Sequence, residues 1–98
     1  MPKHVADKLQ AMSLEDLLRR KGLSHLRVRR HGVLLTIDSG PEDDPIPHVR
    51  FRRLGAHIWI VEMPKHSEGW EVTPLRGQIE KLLDLLATEA PWTLAPLE

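Results

Sequence analysis

The sequence contains no cysteine and no tyrosine, and its aromatic residues are limited to three tryptophans and one phenylalanine. The absence of cysteine excludes disulfides, thiolate metal sites and catalysis by a cysteine nucleophile. It also favours a reducing compartment, so we expect a cytoplasmic protein. Because aromatic residues are scarce, the core must be built mainly from leucine, isoleucine and valine.

Long apolar runs and recognisable ligand-binding motifs are also missing. No segment approaches the roughly 20 apolar residues of a membrane-spanning helix, and the first ten residues lack the apolar stretch of a secretory signal. The six glycines form no phosphate-binding loop, and the six histidines show no spacing typical of zinc sites. We therefore expect no membrane partner, no cofactor and no metal.

The charge of the chain is balanced overall but unevenly distributed. The 98 residues suffice for one domain, spanning 1–98, and carry 14 basic and 14 acidic groups. Residues 19–53 contain nine basic and four acidic residues, whereas residues 54–98 contain three basic and seven acidic ones. This asymmetry indicates either a basic binding surface or two halves that neutralise each other across the fold.

The segment MSLEDLLRRKGL has the pattern of a helix. Ser13 is the expected N-cap, with Asp16 three residues later in a capping-box arrangement. Gly22 followed by Leu23 predicts a Schellman-type exit. Residues 1–11 are then either a backward extension of this helix or a flexible arm.

The next segment, LRVRRHGVLLTID, alternates with a period of two and predicts a hairpin. A two-residue turn at His31–Gly32 fits, because glycine accepts a positive φ angle. This turn pairs Arg29 with Leu34 and Arg27 with Thr36 on one face. A polar loop with three prolines and three consecutive acidic residues follows.

The segment VRFRRLGAHIWIV predicts a second hairpin, with its turn at Leu54–Gly55. In this register Arg50 lies opposite Trp59 and Arg52 lies opposite His57. The stretch HIWIV has apolar residues at both odd and even positions, which is typical of a strand covered on both faces.

The C-terminal third predicts a short closing strand, WEVT, and a helix over residues 74–90. Thr73 and Pro74 have the residue types of an N-cap and a first helical position. The helix carries an amphipathic stripe of Leu75, Ile79, Leu82, Leu83 and Leu86. Residues 90–98 are expected to form a tail docked through Trp92.

This order predicts an α+β fold in which an antiparallel sheet of four to five strands carries both helices on one face. The opposite face then presents the candidate binding residues, which are Arg27, Arg29, Arg50, Arg52, His57 and Trp59. Arginine binds phosphates and carboxylates through a fixed fork of donors, and an exposed tryptophan can stack on bases. The competing interpretation is a solvated face whose arginines pair with Glu71 or the acidic loop at residues 42–44.

The pattern favours a small non-catalytic binding protein for an anionic partner, either nucleic acid or an acidic protein surface. One alternative is a homodimeric interaction or regulatory protein whose mixed sheet face is the subunit interface. Another is a metal-independent nuclease, with His57 as general acid or base and Arg50 or Arg52 stabilising phosphate charge.

The order of a helix, several strands and a second helix resembles that of double-stranded-RNA-binding domains and of the small ribonuclease toxins that share their layout. The binding and catalytic motifs of those families have no counterpart in this sequence. The resemblance therefore assigns no residue and no activity.

Overall fold

The computed structural model describes residues 6–96, and it confirms the α+β prediction. In chain order the elements are α1 (Lys8–Arg20), β1 (Arg27–His31), β2 (Leu34–Ser39), β3 (Ile46–Arg53), β4 (Trp59–Pro64), β5 (Trp70–Gly77), α2 (Ile79–Glu89) and a 3-10 turn (Pro91–Thr93). The strands form one antiparallel sheet in the order β1-β2-β3-β4-β5. Neither helix among these residues is long and apolar enough to cross a bilayer.

The core lies between one face of the sheet and the two helices. This core face is formed by Leu35, Ile37, Val49, Phe51 and Val61, which are fully buried. They form one cluster with Leu14 and Leu18 of α1 and with Leu82, Leu83 and Leu86 of α2. The leucine stripes of both helices therefore cover the same side of the sheet, as their spacing predicts.

The N-cap of helix α1 lies six residues before its expected position at Ser13. The N-cap is Asp7, whose carboxylate accepts the backbone N–H of Gln10 at 2.8 Å, while the Gln10 amide oxygen accepts the backbone N–H of Asp7 at 3.0 Å. This reciprocal pair satisfies two donors of the first turn. Of the two alternatives for residues 1–11, residues 8–11 belong to the helix, whereas residues 1–5 lie outside the described residues. The Schellman exit is also confirmed, because Gly22 has φ +79° and the N–H of Leu23 donates to the Leu18 carbonyl.

The first hairpin has a different register from the predicted one but presents the same faces. The turn residues are 32 and 33, with Gly32 at φ +59°, and Arg29 pairs with Thr36 rather than Leu34. The pairing is thus displaced by two residues. Because side chains alternate with a period of two, an even displacement keeps each residue on its predicted face.

The predicted register of the second hairpin is wrong by three residues, and this changes which face β4 presents. Arg50 lies opposite Glu62 rather than Trp59, and Arg53 lies opposite Trp59. The connection spans residues 54–58 instead of a two-residue turn, and the Arg53 guanidinium stabilises it by donating to the carbonyls of Gly55 and Ala56. An odd displacement exchanges the two faces of a strand, so Trp59 turns into the core, where it is 2% exposed.

The residues expected to start the last helix belong to strand β5 instead. The Thr73 hydroxyl donates to the Val61 carbonyl at 2.8 Å and accepts the N–H of Leu75 at 3.2 Å, beside an irregularity in the β4–β5 register. Pro74 is tolerated there because an edge strand has a ladder partner on one side only. Helix α2 consequently starts at Ile79.

The C-terminal segment is held by Leu94 and two histidines rather than by Trp92. Trp92 is 71% exposed, whereas Leu94 is 1% exposed and belongs to the core. His25 Nε2 donates to the Leu94 carbonyl at 2.7 Å, and His48 Nδ1 donates to the Thr93 carbonyl at 3.0 Å. Residues 97 and 98 of the predicted tail lie outside the described residues.

Candidate anion-binding face

Four arginines share the sheet face that lies opposite the helices, and we call this surface the arginine face. Arg27 and Arg29 project from β1, and Arg50 and Arg52 project from β3. The strand register places the two pairs on either side of β2, because Arg29 pairs with Thr36 of β2 and Thr36 pairs with Arg50. Alternation along each strand is enough to place all four side chains on this side.

A buried aspartate holds the two arginines of β1. The Asp38 side chain has no exposed surface, and Arg29 Nε contacts its Oδ2. Arg27 Nε lies 3.0 Å from Oδ1 as an ionic contact, although that oxygen accepts no hydrogen bond among the described residues. Arg27 also donates to the backbone carbonyls of Gly40 and Pro41 at 2.6 and 3.1 Å. It therefore anchors the acidic loop as well as neutralising Asp38.

A buried glutamate holds the two arginines of β3 in the same way. Arg50 Nε donates to Glu62 Oε1 at 2.6 Å, and Arg52 Nε donates to Oε2 at 2.8 Å. Burial of Glu62 opposes its ionisation, but the hydrogen bonds and charges of Arg52 and Arg50 outweigh burial and hold the pKa of this carboxyl below its usual value. Glu62 is thus an anion at neutral pH, fixed between two guanidinium groups.

In this arrangement Arg29 and Arg52 still have N–H donors that are available to a partner. Each is held on its carboxylate through Nε, and its guanidinium makes no hydrogen bond or ion pair with any other residue within 6–96. Their side chains are 55% and 40% exposed. Arginine has five donors, so each of these two side chains is oriented by the protein and still presents a fork of N–H groups to solvent.

The structure separates the other two predicted site residues from the arginines. His57 lies exposed in the loop at residues 54–58, and Trp59 is buried on the core face. Both instead line a groove of about 390 Å³ that also contacts Leu14 of α1 and Ile79 of α2. The arrangement that a nuclease mechanism would need, His57 beside Arg50 and Arg52, is therefore not formed.

Three residues of the arginine face were not predicted from the sequence, namely Asp38, Glu62 and Trp70. The Arg50 guanidinium lies 4.4 Å from the centre of the Trp70 ring, a cation–π contact. Glu71, considered as a partner for the arginines, pairs with Met63 instead, one position away from the Glu62–Val72 pair and therefore on the opposite face of the sheet. The alternation in LLTID places Asp38 on the same face as Thr36, so the position of Asp38 could have been predicted. The face on which Glu62 lies depends on the register of the second hairpin.

Metal binding has no support among the described residues, since no three histidine, aspartate or glutamate side chains within 6–96 come together. Comparison with protein-family models, with curated proteins and with solved structures gives no match to this chain. The chemistry of the arginine face is therefore the feature that indicates a function.

Proposed function

We propose that this protein is a small non-catalytic binding protein whose arginine face binds an anionic partner. The observation that carries the proposal is the state of Arg29 and Arg52. Each is about half-exposed, and each is held through Nε on a buried carboxylate with no hydrogen bond or ion pair to any other residue within 6–96. A carboxylate or phosphate oxygen pair matches the geometry of that fork.

Orientation of these side chains in advance lowers the entropic cost of binding. A free arginine side chain loses about 2 kcal/mol of rotamer entropy when it is immobilised, and the ion pairs with Asp38 and Glu62 have already restricted Arg29 and Arg52. The local charge also favours an anion, because four guanidinium groups surround only two carboxylates. The two remaining positive charges attract a partner of opposite sign.

The test compares two double variants that remove the same charge from opposite sides of the molecule. Arg29→Gln with Arg52→Gln removes both free forks. Arg19→Gln with Arg20→Gln removes two exposed arginines of α1, which make only i,i+4 pairs with Glu15 and Asp16. Binding of labelled single-stranded RNA and of a labelled glutamate-rich peptide is measured by fluorescence anisotropy at low and high salt, after thermal unfolding has shown that both variants are folded.

We expect the unmodified protein to bind at least one of these probes at low salt and to lose affinity as salt rises. The face variant should bind about tenfold more weakly or worse, because charged hydrogen bonds are lost. The α1 variant should keep its affinity within about twofold. Equal losses in the two variants, or no binding of either probe by the unmodified protein, would overturn the proposal.

A further inference from the structure

A fifth arginine, Arg76 of β5, lies on the same side of the sheet as the arginine face. Ile60 of β4 pairs with Arg52 on one side and with Arg76 on the other, and residues that pair directly in an antiparallel sheet project to the same face. The preceding residue, Leu75, packs against the core, so alternation along β5 also places Arg76 on the opposite face. Arg52 and Arg76 are therefore neighbours in one cross-strand row, with a single strand between them.

The gap between these two arginines is wide enough for one anionic group. Two strand spacings separate their Cα atoms, which is about 10 Å, and an arginine side chain can span half of that distance. Ile60, the residue between them, is 6% exposed and carries no charge that would compete with an anion. A single anion can therefore contact both guanidinium groups at once.

The row that holds this pair contains no carboxylate. Its members, in order across the sheet, are His31, Leu34, Arg52, Ile60 and Arg76. Arg76 is exposed and makes no hydrogen bond or ion pair with another residue within 6–96. In the neighbouring row, Glu62 supplies one negative charge that Arg50 and Arg52 share. Three guanidinium groups thus surround one carboxylate, and two positive charges remain.

An excess of two positive charges matches a phosphate monoester better than a carboxylate. The monoester carries about −1.5 to −2 charges at pH 7 and has three acceptor oxygens, so two guanidinium groups can donate charged hydrogen bonds to the same group. A carboxylate has one charge and two oxygens. It would neutralise only one of the two arginines.

The surroundings of the pair favour a protein over a nucleic acid as the carrier of the phosphate. Internal nucleotides are diesters, and their binding depends on many uncompensated cations, whereas this chain has a formal net charge of zero. Single strands also stack on open aromatic rings. Among residues 6–96, Trp70 is the aromatic side chain on this face, and the Arg50 guanidinium lies 4.4 Å from its ring centre and covers it.

From these observations we infer that Arg52 and Arg76 bind the phosphate group of a phosphorylated side chain on a partner protein. This inference rests on the proposed function and specifies its anionic partner. Glu62 orients Arg52 through a 2.8 Å hydrogen bond from Nε, and Arg76 supplies the second guanidinium. Arg29 lies beyond β2 in the neighbouring row and is outside this site.

The test uses peptides that differ at one position and two variants that remove the same charge. The peptide Gly-Ser-Val-Xaa-Val-Ser-Gly carries phosphoserine, glutamate or serine at Xaa, and a single-stranded RNA is titrated with and without a 5′-phosphate. Arg76→Gln removes one member of the pair. Arg30→Gln is the control, because Arg30 is also exposed without an ion pair within residues 6–96 but lies beside buried Leu35 on the core side of the sheet. Fluorescence anisotropy gives the dissociation constants, after thermal unfolding has shown that both variants are folded.

We expect the phosphoserine peptide to bind about tenfold more tightly than the glutamate peptide, and more tightly than either RNA. Arg76→Gln should weaken binding of the phosphoserine peptide by about tenfold, whereas Arg30→Gln should change it by less than about twofold. Equal losses in the two variants, equal binding of the phosphoserine and glutamate peptides, or tighter binding of RNA would overturn this inference while the proposed function stands. If neither the peptides nor the RNAs bind, the proposed function fails as well.

Discussion

Glu62 shows how a single buried carboxylate organises the surface above it. Its side chain is 2% exposed and lies within hydrogen-bond distance of Arg50 on one oxygen and Arg52 on the other. Removal of one partner from a buried ion pair destabilises the fold, because the remaining charge is left without solvent or a counter-ion. The arginines therefore stabilise Glu62, and Glu62 in turn fixes the direction of the arginines.

The variant Glu62→Gln should lower the free energy of unfolding at neutral pH by about 2 kcal/mol, because charged hydrogen bonds become neutral ones. The pKa of Glu62 is lower in the folded state than in the unfolded state. Its contribution to stability is therefore complete above the unfolded pKa of about 4.5 and is lost as pH falls through the folded-state pKa. Urea unfolding of both proteins as a function of pH measures this difference.

Glu71→Gln is the matched control, since Glu71 is exposed on β5 and makes no ion pair within residues 6–96. We expect its stability to stay within about 0.5 kcal/mol of the unmodified protein at every pH. If the deficit of Glu62→Gln is as large in acid as at neutral pH, the ion pairs are not its cause.

At the scale of elements, specific contacts at helix ends and turns set where each element starts and stops, because the hydrophobic period does not fix those positions. Helix α1 contains Ser13 as an exposed interior residue, although serine is a good N-cap by type. Asp7 takes that role because Gln10 returns a hydrogen bond to it. The Arg53 contacts to the loop at residues 54–58 act similarly, because they favour a long connection over a two-residue turn.

The start of α1 is tested by two alanine substitutions. Asp7→Ala should lower the free energy of unfolding by about 1 kcal/mol, because the N–H of Gln10 loses its acceptor. Ser13→Ala should leave stability unchanged or raise it by a few tenths of a kcal/mol, since alanine is the better interior residue. Chemical denaturation of both variants distinguishes them, and a larger loss for Ser13→Ala would move the helix start to that residue.

At the scale of the whole molecule, the sheet separates two environments. One face carries the helices and the core, and the other carries buried carboxylates beneath arginines. The two edges also differ. The backbone N–H of Val28 in edge strand β1 donates to the Glu15 carboxylate of α1 at 3.0 Å, whereas β5 contains Pro74 and several exposed side chains. Edge strands expose unpaired backbone groups unless something covers them.

Native-state hydrogen exchange should follow this arrangement. The amides of β2, β3 and β4 should exchange most slowly, because these strands have ladder partners on both sides and carry the buried core. The N–H of Val28 should exchange more slowly than the outward amides of β5, because Glu15 accepts its hydrogen bond. NMR exchange rates measure this order, and slow exchange throughout β5 would contradict it.

The predicted homodimer stays a prediction, and so does any catalytic activity. Exposed apolar side chains occur at separate places, including Leu9 of α1, Leu54 beside the β3–β4 loop and Trp92 after α2. The roles of His57 and Trp59 in binding also stay predictions, and the structure places both residues away from the arginine face.

Local sequence pattern determined the order of helices and strands, the leucine stripes, the Gly22 exit and the common face of the four arginines. These features follow from periods of 3.6 and 2 and from the backbone freedom of glycine, which operate over a few residues. Even a register error of two residues left the arginines together, because side-chain alternation repeats after two.

Only the tertiary structure decided the register of the second hairpin, and with it the side of Trp59 and the burial of Glu62 beneath Arg50 and Arg52. A displacement by an odd number exchanges the faces, and the choice depends on the length of the loop at residues 54–58. That length is selected by Arg53 bonds to the loop carbonyls and by burial of the Trp59 ring under the helices. The packing of Trp59 joins residues that are distant in sequence, so no local pattern encodes it. The Arg53 bonds are local, but they form only with the longer loop.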